Sequence, residues 1–406
     1  MTENGRFVET SAFDRDVAII GGCGRVGLPL GVALASRGLS VTLVDVDTRA
    51  VEIVGRGEAP FLESDIELPL REAISAGRLA ATTDPRAIRA ASVVIIVVGT
   101  ATNNHRKSDK EAMVNVIDSY ASHMHDRQLI VLRSTLSPGT TRVVERALTR
   151  HRIAAEVAYC PERIAEGKAM TELFSLPQIV AARSQAARTR AECLFGNLTA
   201  LTVTLDPEEA ELAKLFTNAW RYLKFAISNE FWTISTNAGV DYNRVRQAMV
   251  RDYPRASDIP PAGFAAGPCL LKDTSSLAAY SDDCFSLGRA ALLINEGLPF
   301  YAVSRLERKY PLVDMSVGIL GMAFKAGSDD TRASLSYKLR DALIARDVVT
   351  FCTDPYAVDP DLVPLAEVLR RVDLIVIGAP HPEYRDLDAD VPIVDIWGIT
   401  GRGVAL

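Results

Sequence analysis

Nowhere in the chain does an apolar run reach the ~18 residues that a bilayer-spanning helix needs, which argues against a membrane partner. Positive charge is not in excess: 45 Lys and Arg stand against 51 Asp and Glu, a net charge of −6. Such a surface offers no basic field for a polyanion, so nucleic acid is not an expected partner. Cysteine is sparse and scattered. Cys23, Cys160, Cys193, Cys269, Cys284 and Cys352 include no C-x-x-C pair, which argues against a disulfide framework or a zinc site and fits a reducing, cytoplasmic setting. The five histidines show no H-E-x-x-H spacing, and no metal is expected. Residues 1–13 are polar and lack the apolar core of a signal peptide; they read as a disordered lead-in.

What is present is ordinary globular material, 48% hydrophobic and 24% charged over 406 residues, enough for two or three domains. Val17-Ala18-Ile19-Ile20-Gly21 reads as a buried parallel strand running into Gly22-Cys23-Gly24-Arg25-Val26-Gly27, a G-x-G-x-x-G turn. A helical pattern follows, then the strand Val41 to Val44 ending in Asp45, about 20 residues past the glycines as dinucleotide sites require. Glycines let the backbone approach a pyrophosphate, helix N-terminal amides meet its charge, and the acid bonds a ribose hydroxyl. Because Asp45 would repel a 2′-phosphate, the spacing favours NAD over NADP.

Two further apolar runs, Val93 to Gly99 and Leu129 to Leu132, end in Thr100 and in Ser134-Thr135. Small polar residues at the carboxyl ends of parallel strands can line a ligand or merely cap the next helix. Val157 to Cys160 leads into Pro161-Glu162-Arg163-Ile164-Ala165-Glu166-Gly167, unusually charged for a plain connection. From Asp206-Pro207 a long helical pattern runs to Ala238, with Lys214 and Asn218 four apart on one face; the alternative is a solvated lysine. Gly263-Phe264-Ala265-Ala266-Gly267-Pro268-Cys269-Leu270-Leu271-Lys272-Asp273 sets a thiol behind small residues with a cation and an acid close by. A thiol with a free pKa of about 8.5 needs such neighbours to act as a nucleophile, although most cysteines are small core residues. A second strand-and-helix half begins at Val317 and repeats the strand-then-Asp arrangement at Asp354 without a full glycine fingerprint. Lys325 and Arg332 in its first loop could hold a diphosphate or simply solvate that loop.

The expected fold is α/β, with two Rossmann-like doubly wound parallel-sheet domains joined by a long central helix. The expected division is a tail (1–13), an NAD-binding domain (14–205), a central helical domain carrying Cys269 (206–312) and a C-terminal nucleotide-sugar-binding domain (313–406).

Over residues 16–400 the chain resembles the nucleotide-sugar 6-dehydrogenases. The motifs stand in family order: the glycine turn, Gly57-Glu58-Ala59-Pro60-Phe61-Leu62-Glu63, Ser134-Thr135, Pro161-Glu162, Lys214 with Asn218, Gly267 to Asp273, and Phe324-Lys325 through Asp330-Thr331-Arg332. The resemblance implies two successive hydride transfers to NAD from sugar C6, with capture of the aldehyde as a thiohemiacetal and then a thioester on Cys269. It implies Lys214 and Asn218 at the reacting oxygen, Asp273 or Glu162 activating water, and Thr135 near the nicotinamide or the catalytic water. The cofactor would meet Gly22, Gly24, Arg25, Val26, Gly27, Asp45, Thr100, Ser134, Glu166 and Arg332. The substrate would meet Arg163, Phe264, Gly267, Lys272 and Lys325, with Arg255 or Arg251 reaching a neighbouring subunit of a homodimer built on the central helix. Arg163-Ile164 after Glu162 matches the N-acetylhexosamine branch, closest to UDP-N-acetylmannosamine dehydrogenases. UDP-glucose or dTDP-glucose is the alternative substrate, and a two-electron β-hydroxyacid dehydrogenase is a more remote one. Ala101 and Ala266 depart from the usual proline and glycine.

Overall fold

A computed structural model of the chain describes residues 15–99, 109–265, 267–282, 284–401 and 406. The expected tail, Thr100, Ala101 and Ala266 lie outside these. The chain divides into two compact units, the first ending at Leu215 and the second beginning at Phe216.

The first unit holds β1 (Arg15–Ile20), α1 (Gly27–Ser36), β2 (Val41–Val44), α2 (Thr48–Gly55), α3 (Glu67–Ser75), β3 (Leu79–Thr82), β4 (Ala91–Ile96) and α4 (Asp109–Tyr120). It continues with β5 (Leu129–Leu132), α5 (Thr140–Arg150), β6 (Glu156–Tyr159), α6 (Ala169–Ser175), β7 (Gln178–Ala182), α7 (Gln185–Gly196) and β8 (Thr202–Leu205). The strands form one sheet in the order β3-β2-β1-β4-β5-β6-β7-β8. Central strands bury both faces, which is why they read as unbroken apolar runs. Val17 and Ile19 of β1 join one core with Leu34 and Leu194; Ala18 and Ile20 join another with Met113 and Val144. Helices thus cover both faces of the sheet. One junction departs from the parallel expectation, since β7 pairs antiparallel with β6. The intervening segment contains only the loop after β6 and the seven-residue α6, so the chain turns back beside β6 without the crossover that a parallel neighbour needs.

The unit boundary falls inside α8 (Pro207–Asn237), 31 residues long. Pro207 occupies its first turn with Glu208 and Glu209, and the Glu209 carboxylate accepts from the Asp206 amide (2.9 Å). The second unit adds α9 (Tyr242–Val250), α10 (Pro268–Tyr280), α11 (Ser286–Lys309), β9 (Ser316–Leu320), α12 (Leu335–Ile344), β10 (Val349–Thr353), α13 (Leu365–Arg371), β11 (Leu374–Ile377) and β12 (Ile393–Val394). Its sheet, β10-β9-β11-β12, is parallel throughout. Among the described residues no helix is long and apolar enough to cross a membrane.

Candidate active site

In the first unit the chain order brings β1 and β4 side by side, the point where an open sheet leaves a crevice at its strand ends. The glycine turn fills that point. A Cβ on Gly21 would lie 2.1 Å from the Val97 carbonyl, and one on Gly27 2.5 Å from the Gly21 carbonyl. At Gly24 the nearest atom would be 3.7 Å away, which leaves the open face a phosphate needs. Asp45, partly exposed at the end of β2, accepts from the amides of Cys23 (2.9 Å) and Asp47 (3.1 Å). These residues fit a dinucleotide: small groups at the turn, amides at the N-terminus of α1, and an acid at the second strand's end.

Three distant motifs meet beside this turn. Arg25 pairs with Glu166 (2.9 Å) and lies over the Phe61 ring. Glu63 accepts from the amides of Gly167 and Ala169 (2.8 Å each), closing the start of α6. Ser134 binds the Val98 backbone in both directions, donating to its carbonyl (2.8 Å) and accepting from its amide (3.0 Å), so it ties β4 to β5 and caps no helix. Thr135 is half-buried beside it. The start of α5 is instead held by the buried Glu211 of α8, which accepts from the amides of Gly139 and Thr141 and from the Thr141 hydroxyl. No feature of the sequence alone distinguished Glu211 from its acidic neighbours.

Glu162 is buried and heavily engaged. Arg133, 1% exposed, pairs with it, and the amides of Arg163 (2.7 Å) and Ile164 (3.1 Å) donate to its other oxygen. Arg133 also donates to the Cys160 carbonyl and to Gln178 (2.9 Å each) and sits over the Phe195 ring. The Arg163 guanidinium donates to the Pro177 carbonyl.

Burial sorts the thiols. It pushes Cys23, Cys160 and Cys352 up to about 12, out of the reactive range. Cys269 is exposed on the first turn of α10, where helix N-terminal amides favour negative charge. Asp273, one turn further on the same face and 1% exposed, accepts from the Asn218 side chain (2.5 Å), with the Lys272 ammonium 3.7 Å from its other oxygen. Lys214 and Asn218 are both buried on α8, so the solvated-lysine alternative does not hold.

Gly267, at φ +110°, leads into Cys269, and a Cβ there would lie 2.7 Å from the Phe324 ring. The loop bearing Lys325 and Arg332 therefore lies against the turn before the thiol. Gly267→Ala is expected to displace that ring and add roughly 1–3 kcal/mol of backbone strain. It should lower the melting temperature, as measured by scanning calorimetry. Phe264, expected to line the substrate, is a core side chain packed with Trp232 and Tyr242, where burying a large apolar ring is favoured over leaving it open to a polar ligand. The Gly263 amide is held by the buried Asn229 (2.9 Å), itself bonded to Asn295. This asparagine pair was not read from the sequence, where each looks like any helical polar residue. Arg332 is paired with Asp330, while Arg251 and Arg255 are exposed, the latter over the Tyr253 ring.

The strand-end carboxylate recurs in the second sheet. Asp354 accepts from four amides, those of Met322 (2.6 Å), Ala323 (2.9 Å), Tyr356 (2.8 Å) and Ala357 (2.9 Å), and from the buried His381 (3.1 Å). Burial alone would raise this carboxyl, but the imidazole and the amides outweigh it and hold it far below the usual carboxylate range. Its contribution to stability is therefore complete above about pH 4 and is lost as pH falls from there toward the lower, folded value. Asp354→Asn should reduce the protons taken up on unfolding between about pH 3 and 4.5 by up to one, measured as the pH slope of unfolding free energy. An unchanged slope would contradict this.

Comparison with known proteins gives this arrangement a family. The family models for the UDP-glucose/GDP-mannose dehydrogenase family match residues 15–199 (NAD binding domain), 208–296 (central domain) and 318–402 (UDP binding domain). The chain belongs to that family. It is 30% identical over 385 residues to a UDP-N-acetyl-D-mannosamine dehydrogenase of Pyrococcus horikoshii, covering 92% of this chain and 91% of the relative. A solved structure of the P. horikoshii UDP-D-ManNAc dehydrogenase superposes with a TM-score of 0.86 at 28% identity over 94% of each chain. A UDP-glucose dehydrogenase from Pyrobaculum islandicum gives 0.85 at 27% identity over 96% of each. The protein is an NAD-dependent nucleotide-sugar dehydrogenase, an oxidoreductase with one nucleotide-binding domain for NAD and another for its substrate.

Proposed function

We propose that this dehydrogenase oxidises the C6 hydroxymethyl of a UDP-N-acetylhexosamine, UDP-N-acetylmannosamine foremost, to the uronate in two two-electron steps. The observation that carries the reading is the exposed Cys269 on the first turn of α10, with Asp273 one turn beyond it and Asn218 bonded to that acid. When bound, NAD supplies the hydride acceptor, one molecule for each oxidation. Gly22, Gly24, Arg25, Val26, Gly27, Asp45 and Glu166 would hold it. The Cys269 thiolate adds to the C6 aldehyde, so the carbonyl π pair becomes an alkoxide on C6 that Lys214 and Asn218 stabilise. Oxidation of this thiohemiacetal leaves a thioester. Asp273 takes a proton from water, which attacks the thioester carbon, and C–S cleavage returns the thiolate and releases the carboxylate. Glu162, already accepting three bonds, suits holding the Arg163–Ile164 turn better than moving a proton. Lys325, Arg332 and Lys272 are proposed to meet the substrate's charge, with Arg163 and the Gly267 turn shaping its pocket.

Arg163 after Glu162 and the similarity to UDP-N-acetylmannosamine dehydrogenases support the N-acetyl sugar; the Pyrobaculum likeness keeps UDP-glucose as the second reading. An NADH assay over UDP-N-acetylmannosamine, UDP-N-acetylglucosamine, UDP-glucose, dTDP-glucose and GDP-mannose decides between them. Preference for a sugar without the N-acetyl group, or one NADH per uronate, would sink the proposal. We also assign the functional parts to residues 14–205, 206–312 and 313–406, and a reducing cytoplasmic setting to a chain whose six scattered cysteines form no disulfide among the described residues. A homodimer through α8 is supported by an exposed apolar stripe of Phe216, Trp220, Ile227, Phe231 and Ile234. Arg255 or Arg251 would then serve the neighbouring site, and sedimentation of the purified protein checks the pairing.

A further inference from the structure

His381 is completely buried and has no part in the chemistry above. Its ring bridges two elements. The Gly327 amide donates to Nδ1 (3.2 Å), and Nε2 lies 3.1 Å from the Asp354 carboxylate. An amide can only donate, so Nδ1 is the acceptor and the ring proton sits on Nε2, facing Asp354. Tyr356 and Tyr384 enclose the ring at centroid distances of 5.2 and 5.7 Å.

The two sheets use the same carboxylate differently. Asp45 follows β2, binds the turn after β1 and stays partly exposed, as a ribose-binding acid must. Asp354 follows β10 and binds the turn after β9 in the same way, but His381 closes over it and leaves it fully buried. A ribose hydroxyl cannot reach that acid. Nucleotide recognition in this half therefore shifts to the loop after β9. That loop is internally closed by the Phe324 amide on the Asp330 carbonyl (3.0 Å) and by Arg332 on Asp330. Gly327, at φ +62°, is exposed in it, and its bond to His381 ties it to the end of β11.

We propose that His381 is a positioning residue for nucleotide binding. Through Nδ1 it fixes the Gly327 amide and sets the register of the 324–332 loop, whose Phe324 ring rests on Gly267 ahead of Cys269. The idea rests on the reading that Lys325 and Arg332 meet the substrate diphosphate. It does not depend on which sugar is oxidised.

Two variants of the full chain separate the ring's two bonds. In His381→Asn the side-chain oxygen takes the place of Nδ1 and still accepts from Gly327. In His381→Gln the side-chain nitrogen reaches toward Asp354 and leaves no acceptor for Gly327. Calorimetric affinity for UDP, affinity for NAD, and hydrogen exchange of the peptide spanning residues 322–334 are measured for both. Loss of one oriented bond behind the loop should weaken UDP about tenfold in the Gln variant, with faster exchange and NAD affinity unchanged. The Asn variant should stay within about threefold of the parent on UDP. Equal loss of UDP affinity in both variants, or normal exchange in the Gln variant, overturns the proposal. If the Gln variant does not fold, the Asn variant decides alone: preserved UDP affinity and exchange uphold the idea, and a tenfold loss ends it. Lys325→Ala is the separate control. Should it leave UDP affinity unmoved while His381→Gln still loosens the loop, the diphosphate reading fails and the latch stands.

Discussion

Cys269→Ser is expected to reduce uronate release by on the order of 10³-fold or more, while UDP and NAD still bind with parental affinity. The serine hydroxyl keeps the shape of the first turn of α10 but is almost wholly protonated at neutral pH, so the aldehyde is not captured. Any NADH formed should then appear without matching uronate, whereas the parent enzyme gives two NADH for each uronate. Cys284, which is also exposed, provides the control, since Cys284→Ser should stay within about twofold of the parent if exposure alone were not what matters. Uronate formed by Cys269→Ser at the parental rate would remove covalent capture from the mechanism.

The second large effect is on stability. Arg133→Ala would leave the Glu162 carboxylate, the Gln178 amide and the Cys160 carbonyl buried without the guanidinium that joins them. Removing one partner of a buried ion pair costs about 3–5 kcal/mol, much more than an exposed pair. At about 2–4 °C per kcal/mol for a unit of this size, the melting temperature should fall by roughly 10 °C. Glu162→Gln removes the charge and keeps an oxygen for the Arg163 and Ile164 amides, so combining it with Arg133→Ala should recover part of that loss. Melting curves of the two single variants and the double variant measure the coupling. Strict additivity, within about 0.5 kcal/mol, would show that the two side chains do not act as a pair.

Sequence reasoning reached some elements and not others for identifiable reasons. Strands β1, β4 and β5 were legible because burial on both faces demands unbroken apolar residues. The 31-residue α8 was legible from Asp206-Pro207 and the absence of glycine and proline. Strands β3, β7 and β8 went unnamed: the edge strands β3 and β8 are four residues each and carry no clear period, and β7, Gln-Ile-Val-Ala-Ala, is buried between β6 and β8 but too short and alanine-rich to stand out as an apolar run. The antiparallel β7 was invisible for the same reason, since strand direction depends on where the chain turns.

The sequence alone determined which chemistry is available, because that depends on residue types at short spacing. The glycine turn with Asp45 lies within one strand-helix-strand stretch, and the thiol ahead of Lys272 and Asp273 and the Lys214–Asn218 pair each lie within a single helix. Only the tertiary structure decided which groups are engaged and which remain open. Arg133 with Glu162, Glu211 with α5, Asn229 with Gly263, and His381 with Asp354 and Gly327 join residues 27 to 72 positions apart. No local pattern announces such partners. Burying a polar group requires one, and the fold alone sets where it is found.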